Sequence, residues 1–193
     1  MIPFWIKITY TLFAVITVAV YAVKYPLGNF LWFSDIALVL TAPALWLESS
    51  LLASTLAVGT LLPEVFWNAG FFGRLFTGKR LAGLTDYMFD AQKPRYLRAL
   101  SLFHVFLPVL LLWMIARLGY SPKALIAQTA LAWIVLPLTY GTTDPAKNIN
   151  WVFGPGPVQR NRLSAMLYLG LLMISFPVLV YLPTHLLLRA LFP

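Results

Sequence analysis

The 193-residue sequence contains no cysteine, only two histidines and few charged residues. The lack of cysteine excludes disulfides, thiolate metal centres, iron–sulfur clusters and a cysteine nucleophile. With only His104 and His185, a multi-histidine zinc site or a bis-histidine haem within one chain is not expected. Charged residues form 10% of the chain and hydrophobic residues 61%, whereas soluble domains average about 25% and about 45–50%. This composition excludes both a water-soluble globular domain and intrinsic disorder.

Long apolar segments predict an all-α polytopic membrane protein, a bundle of about six transmembrane helices. A helix that crosses a bilayer needs about 20 mostly apolar residues. The candidate spans of this single integral membrane domain are 4–23, 30–47, 50–72, 96–118, 124–140 and 163–188. The second and third segments could instead form a re-entrant hairpin.

A short cytoplasmic interfacial helix is expected between the third and fourth spans. Leu81, Leu84 and Met88 follow the i, i+3, i+7 spacing of an amphipathic helix that lies in the membrane interface. The alternative is a shorter helix with Thr85 as its cap.

Lysine and arginine are distributed unequally between the two sides of this topology. Ten lie on one side, namely Lys24, Arg74, Lys79, Arg80, Lys93, Arg95, Arg98, Lys147, Arg160 and Arg162. Four lie on the other, namely Lys7, Arg117, Lys123 and Arg189. The positive-inside rule predicts a multi-pass protein, of a bacterial inner membrane, with both termini outside the cytoplasm. The net charge of +8 then reflects topology and contact with anionic lipid, not nucleic-acid binding.

Polar groups are concentrated on the cytoplasmic half of the predicted topology, which contains five of the six acidic residues. Asp35 lies inside the second span, and Glu64 lies near the end of the third with Asn68 on the same helix face. His104 lies about two turns into the fourth span. Charged groups inside a bilayer usually face a bundle interior or a wet cavity. Their common depth therefore predicts a common site.

These groups predict acid–base chemistry. The candidate catalytic residues are His104, Asp35, Glu64, Asn148 and Asn150. The histidine would act as general acid or base, one carboxylate would orient it, and the amides would stabilise developing negative charge. Pro108 strengthens the case for His104, because a proline cannot donate to the carbonyl four residues earlier. The structural alternatives are pairing of Asp35 with an interfacial base, and a packed, hydrogen-bonded histidine.

Asp86 and Asp90 have the i, i+4 spacing that places two carboxylates together, as a Mg²⁺–diphosphate site requires. The sequence does not identify a cofactor, and a divalent cation such as Mg²⁺ is the one that these carboxylates would hold. The candidate substrate-binding residues are Arg80, Lys79 and Asp144. The alternative interpretation of the two aspartates is the solvated face of a helix.

The leading functional interpretation is an integral membrane enzyme that acts on a lipid-like or isoprenoid substrate at the cytoplasmic leaflet. Histidine–carboxylate acid–base chemistry would perform the reaction, with metal assistance if the substrate is phosphorylated. One alternative is a non-catalytic subunit that binds a pigment, quinone or partner helix, and another is a small transporter or proton-conducting protein. Membrane lipid is the expected partner and nucleic acid is not. A homo-oligomer or a membrane-complex subunit is compatible with the sequence.

Overall fold

The computed structural model describes residues 1–81, 83–155 and 164–193, and the described residues form helices and turns without strands. The α-helices are α1 (Phe4–Lys24), α2 (Phe33–Trp46), α3 (Ser50–Thr77), α4 (Arg95–Leu100), α5 (Phe103–Leu118), α6 (Ala124–Thr142), α7 (Ala165–Ser175) and α8 (Leu182–Leu191). A π-helical segment, Phe176–Tyr181, joins α7 to α8. Short 3₁₀ helices occur at Leu27–Leu31, Asp86–Met88, Pro145–Lys147 and Ile149–Trp151.

Five helical segments are long and apolar enough to cross a membrane: α1, α3, α4 with α5, α6, and α7 with α8. The all-α polytopic membrane fold predicted from composition is thereby confirmed. Helix α2 is also apolar, but its 14 residues give a length of about 21 Å, less than the hydrocarbon core of about 30 Å. The candidate span 163–188 begins at a residue outside the described part, and the helix seen there runs from Ala165 to Leu191.

Two sets of side-chain contacts identify one end of the bundle. Glu48, in the α2–α3 turn, accepts hydrogen bonds from Lys7 Nζ at 2.8 Å and from the Ile2 backbone at 3.0 Å. The bond from Lys7 holds the pKa of Glu48 below its ordinary value. The Tyr120 hydroxyl lies 2.6 Å from His185 Nδ1 at this same end. Both chain termini therefore lie at this end, which we call the far end.

The opposite end contains most of the cationic residues, and we call it the basic end. The lysines and arginines there are Lys24, Arg74, Lys79, Arg80, Lys93, Arg95, Arg98 and Lys147. Arg160 and Arg162, expected on the same side, lie outside the described residues. The Asn150 amide donates to the Leu31 carbonyl at 2.7 Å and ties the turn after α6 to the segment before α2.

The segment between α3 and α4 contains one short 3₁₀ helix, Asp86–Met88, in its described residues. The helix begins after Thr85, as the shorter alternative predicts, although the Thr85 side chain makes no capping hydrogen bond. Gly83 adopts a left-handed conformation with φ of 76°. A left-handed residue interrupts an α-helix, so the amphipathic spacing from Leu81 does not produce a continuous one.

Helix α3 is the most buried of the five spanning segments and packs against α2, α5, α6 and α8. Gly59 provides the space for the close approach of α3 to α6. A Cβ atom at Gly59 would overlap Nε2 of Gln128, a residue that is only 2% exposed. The buried glutamine amide of the neighbouring helix therefore occupies the space that a side chain at position 59 would need.

Replacing Gly59 by alanine is expected to destabilise the bundle by about 1–3 kcal/mol, because the buried Gln128 amide must move to make room. The measurement is thermal unfolding in mild detergent. Gly141→Ala is the matched control, since this α6 glycine has open space around its Cβ position. Adding Gln128→Ala to Gly59→Ala should restore part of the loss. An unchanged melting temperature in Gly59→Ala would contradict this account of the α3–α6 contact.

Candidate functional site

A histidine–carboxylate pair joins α3 and α5 inside the bundle. His104 Nδ1 lies 2.9 Å from Oε1 and 2.8 Å from Oε2 of Glu64. The Glu64 side chain is 2% exposed and the His104 side chain 13%. When Glu64 is ionised, Nδ1–H is the donor in this contact. The second ring nitrogen, Nε2, then has the lone pair that can accept a proton.

Aromatic rings hold the imidazole in place. The Trp67 ring stacks on His104 with centroids 4.6 Å apart, and the Phe103 ring stacks on it at 4.1 Å. Stacking of this kind restricts rotation of the imidazole about its side-chain bonds. The ring is therefore fixed both by its hydrogen bond to the carboxylate and by its aromatic neighbours.

Asn68 satisfies the carbonyl group that Pro108 leaves without a helical donor. The Asn68 Nδ2 atom donates to the His104 carbonyl at 2.7 Å and to the Glu64 carbonyl at 2.8 Å. The helix is also interrupted here, since α4 ends at Leu100 and α5 begins at Phe103. One amide thus links the backbones of both members of the acid–base pair.

Asp35 and a tyrosine–serine contact bring α1, α2 and α4 to the same region. Asp35, in the first turn of α2 and 5% exposed, accepts a hydrogen bond from Asn29 Nδ2 at 2.9 Å. Its carboxyl group lies within electrostatic range of the Glu64 carboxyl group and the Tyr21 hydroxyl. The Tyr21 hydroxyl in turn lies 3.0 Å from Ser101 Oγ. Asp35, Glu64 and His104 therefore lie in one polar region, although the direct carboxylate partner of His104 is Glu64.

Trp67 connects the Glu64–His104 pair to an open cleft at the basic end. Trp67 Nε1 donates to the Tyr87 hydroxyl at 3.2 Å. Burial raises the pKa of Tyr87, which keeps its hydroxyl neutral. The cleft, about 490 Å³ in volume, is lined by Arg74, Arg80, Asp86, Tyr87, Asp90 and Lys93. Trp67 thus contacts both the imidazole of His104 and Tyr87, which lines the cleft.

Two arginine side chains form ion pairs with Asp86, one of the two candidate metal ligands. Arg74 Nη1 lies 2.6 Å from Asp86 Oδ1, Arg80 Nε lies 2.9 Å from the same atom, and Arg80 Nη2 contacts Oδ2. Asp90 accepts a hydrogen bond from the Gln92 backbone at 2.9 Å. Within the described ranges, no three His, Asp or Glu side chains come together as metal ligands. Two guanidinium groups on Asp86 oppose a divalent cation, so this donor set does not fit Mg²⁺.

The polar side chains after α6 order the turns of the basic end. Asn150 accepts a hydrogen bond from the first backbone N–H of α2 at 3.3 Å and donates to the Leu31 carbonyl. Asn148 donates to the Gly154 carbonyl at 2.8 Å, and Asp144 caps the 3₁₀ helix that follows it. Among the remaining candidates, Arg80 lines the cleft and Lys79 is exposed beyond the end of α3.

Trp67, Tyr87, Tyr21 and Asn29 belong to this region but are not found from the sequence. Aromatic residues near a membrane interface are common as anchors, so their composition alone does not distinguish a residue that stacks on a catalytic ring. Asn68 does carry a signal, since it lies one turn from Glu64 on an otherwise apolar helix face.

Comparison of the chain with protein-family models, curated proteins and solved structures finds no match. The chemistry that the site can perform is therefore inferred from its own geometry.

Replacing Asn68 by leucine is expected to destabilise the protein by about 1–2 kcal/mol, because the His104 carbonyl loses its donor inside the membrane. Thermal unfolding in detergent measures the effect. Thr60→Val is the control, since the Thr60 hydroxyl donates only to the Leu56 carbonyl of its own helix in the described structure. Equal losses in the two variants would contradict a special role for the Asn68 link.

Proposed function

We propose that this protein is an integral membrane enzyme that acts on a lipid-like substrate by acid–base chemistry at the basic end. The observation that supports it is the Glu64–His104 pair, in which both carboxylate oxygens lie within 3 Å of Nδ1. An ionisable pair inside a bilayer is costly and usually functional. In the described part of the chain, His104 Nε2 makes no hydrogen bond, which leaves it available to a substrate.

In the proposed reaction, His104 Nε2 accepts the proton of a hydroxyl group or water molecule as that oxygen attacks the substrate. Glu64 stabilises the resulting imidazolium through Nδ1–H and keeps the ring in one tautomer. The imidazolium then returns the proton to the leaving group, so the enzyme ends in its starting state. Transfer or hydrolysis at an ester or phosphoester bond of an amphiphile is a reaction of this class. No step requires a metal ion.

The position of the pair supports an amphiphilic substrate. The open cleft beside Tyr87 is lined by three cations, Arg74, Arg80 and Lys93, and two acids, so the remaining positive charge would attract an anionic headgroup. Leu75 and Phe76 on the last turn of α3 are exposed and would lie against the apolar part of a lipid. A molecule with both features would be held at the end of α3, the helix that carries Glu64.

A proton-conducting protein is the second candidate, and one observation favours it. The far end contains its own titratable pair, Tyr120 and His185, with their polar atoms 2.6 Å apart. Groups that exchange protons at both ends of a bundle are expected of a relay. Acidification of proteoliposomes under an imposed potential distinguishes this function from that of an enzyme that moves no charge.

We also propose that the basic end faces the cytoplasm of a bacterial cell and that both termini lie outside it. Eight lysines and arginines in the described residues lie at the basic end and four at the far end. The positive-inside rule favours this orientation.

Replacing His104 by alanine is expected to lower turnover at least about 100-fold, since it removes the general base. Glu64→Gln keeps the hydrogen bond but loses the charge, and should lower turnover about 10-fold or more. The assay places the purified protein in nanodiscs made from bacterial lipid extract and follows new lipid species by mass spectrometry.

His185→Ala is the matched control for this experiment, because it removes the other histidine and leaves Glu64 and its partner intact. Wild-type turnover in His104→Ala would exclude the mechanism. An equal loss of turnover in His185→Ala would instead favour a relay that spans both ends.

The proposed orientation predicts which introduced cysteines react from outside the cell. Because the chain has no cysteine, Thr77→Cys at the basic end and Pro122→Cys at the far end can be labelled without background. Both positions are exposed, and neither substitution changes a charge. In intact spheroplasts, an impermeant maleimide should label Pro122→Cys, and should label Thr77→Cys only after permeabilisation. The reverse pattern would contradict the orientation.

A further inference from the structure

A second cleft at the basic end has a cationic lining without an acid. Its volume is about 390 Å³, and its charged lining residues are Lys93, Arg95 and Arg98. The first cleft differs, because two acids, Asp86 and Asp90, line it beside its three cations. Three cations in one concave surface repel one another unless an anion joins them. The charge of this second cleft therefore suits an anionic ligand.

We propose that the Lys93–Arg98 cleft binds a phosphate group, carried by a lipid headgroup or by a soluble molecule. Phosphate is the anion whose several acceptor oxygens match guanidinium and ammonium donors together. Arg95 and Arg98 also lie at the start of the α4–α5 spanning segment, directly after Lys93, where the phosphates of lipid headgroups lie.

Arg98 gives the most direct evidence that the second cleft lacks a hydrogen-bond acceptor. Its Nη1 atom donates to the Met88 carbonyl at 3.1 Å, which anchors the guanidinium group. Its Nε atom is buried and has no hydrogen-bond partner among the described residues. An unpaired buried donor is costly. A small rotation of the guanidinium group toward the cleft would give this edge a phosphate oxygen.

Lys93 is positioned to close the same site. Its Nζ atom lies 5.8 Å from the centre of the Tyr25 ring and 5.7 Å from that of Tyr87. These cation–π contacts restrict the ammonium group without neutralising its charge. Lys93 lines both clefts, so it can contribute a donor to a phosphate in the second while it borders the first. Arg95 is exposed at the rim.

Binding in this cleft does not depend on the proposed enzymatic function, because none of its residues takes part in proton transfer. The His104→Ala variant should therefore bind phosphate as well as the wild type does. Loss of turnover in that variant with retained binding would separate the two proposals.

The test uses native mass spectrometry of the full-length protein released from mild detergent. Two probes are titrated, phosphatidylglycerol and inorganic phosphate, with phosphatidylcholine as the zwitterionic reference lipid. Arg95→Gln should weaken binding about 10-fold and the double variant Arg95→Gln/Arg98→Gln about 100-fold, since each substitution removes a charge-assisted hydrogen bond. Arg95 is exposed, so the single variant keeps the test valid if the double variant fails to fold.

Arg117→Gln/Lys123→Gln removes the same charge at the far end and should leave binding unchanged. Preferential binding of phosphatidylglycerol would identify a headgroup site, and binding of inorganic phosphate alone would identify a soluble ligand. The proposal is overturned if Arg95→Gln binds both probes like the wild type, or if the far-end control weakens binding as much.

Discussion

The hydrogen bond from Asn68 to the His104 carbonyl is the contact on which the candidate site depends. Lipid cannot hydrogen-bond a backbone carbonyl, so each such group needs a donor from the protein. Pro108 removes the normal donor at this point of α5, and the α3 amide replaces it at 2.7 Å. The same amide also donates to the backbone carbonyl of Glu64 in its own helix. A requirement of the backbone thereby aligns α3 with α5 and places the imidazole against the carboxylate.

This alignment also explains why the site lies on the most buried helix. Helix α3 contributes Gly59, Glu64, Trp67 and Asn68, and it packs against four other helices. A residue on such a helix has neighbours from several elements. A charged side chain there can therefore form hydrogen bonds with protein groups instead of water. Glu64 consequently stays almost fully buried while it contacts His104. Glu64, Trp67 and Asn68 share the face of α3 toward His104, whereas Gly59 lies on another face, toward α6.

The sequence predicts those features of the fold and site that depend on composition and local spacing. Apolar length predicts the membrane helices, and the Pro108–His104 spacing predicts the freed carbonyl. Other features depend on tertiary contacts. Helix α3 continues beyond the predicted span end at 72 to Thr77, where Gly78 in a left-handed conformation ends it, and Arg74 on this added part pairs with Asp86 across the loop. Asn150 bonds to a residue 119 positions away, a partner that no local pattern reveals.

The Glu64–His104 pair and the two cationic clefts share no lining residue. A cation directly beside His104 would disfavour the protonated imidazole that acid–base catalysis requires. The guanidinium groups instead lie at the interface, where water screens them and Asp86 pairs with two of them. Trp67 lies between, stacked on the imidazole and bonded to Tyr87. In the proposed reaction, the headgroup is therefore neutralised at the surface, whereas the bond that reacts meets His104 in an apolar layer where Glu64 acts most strongly.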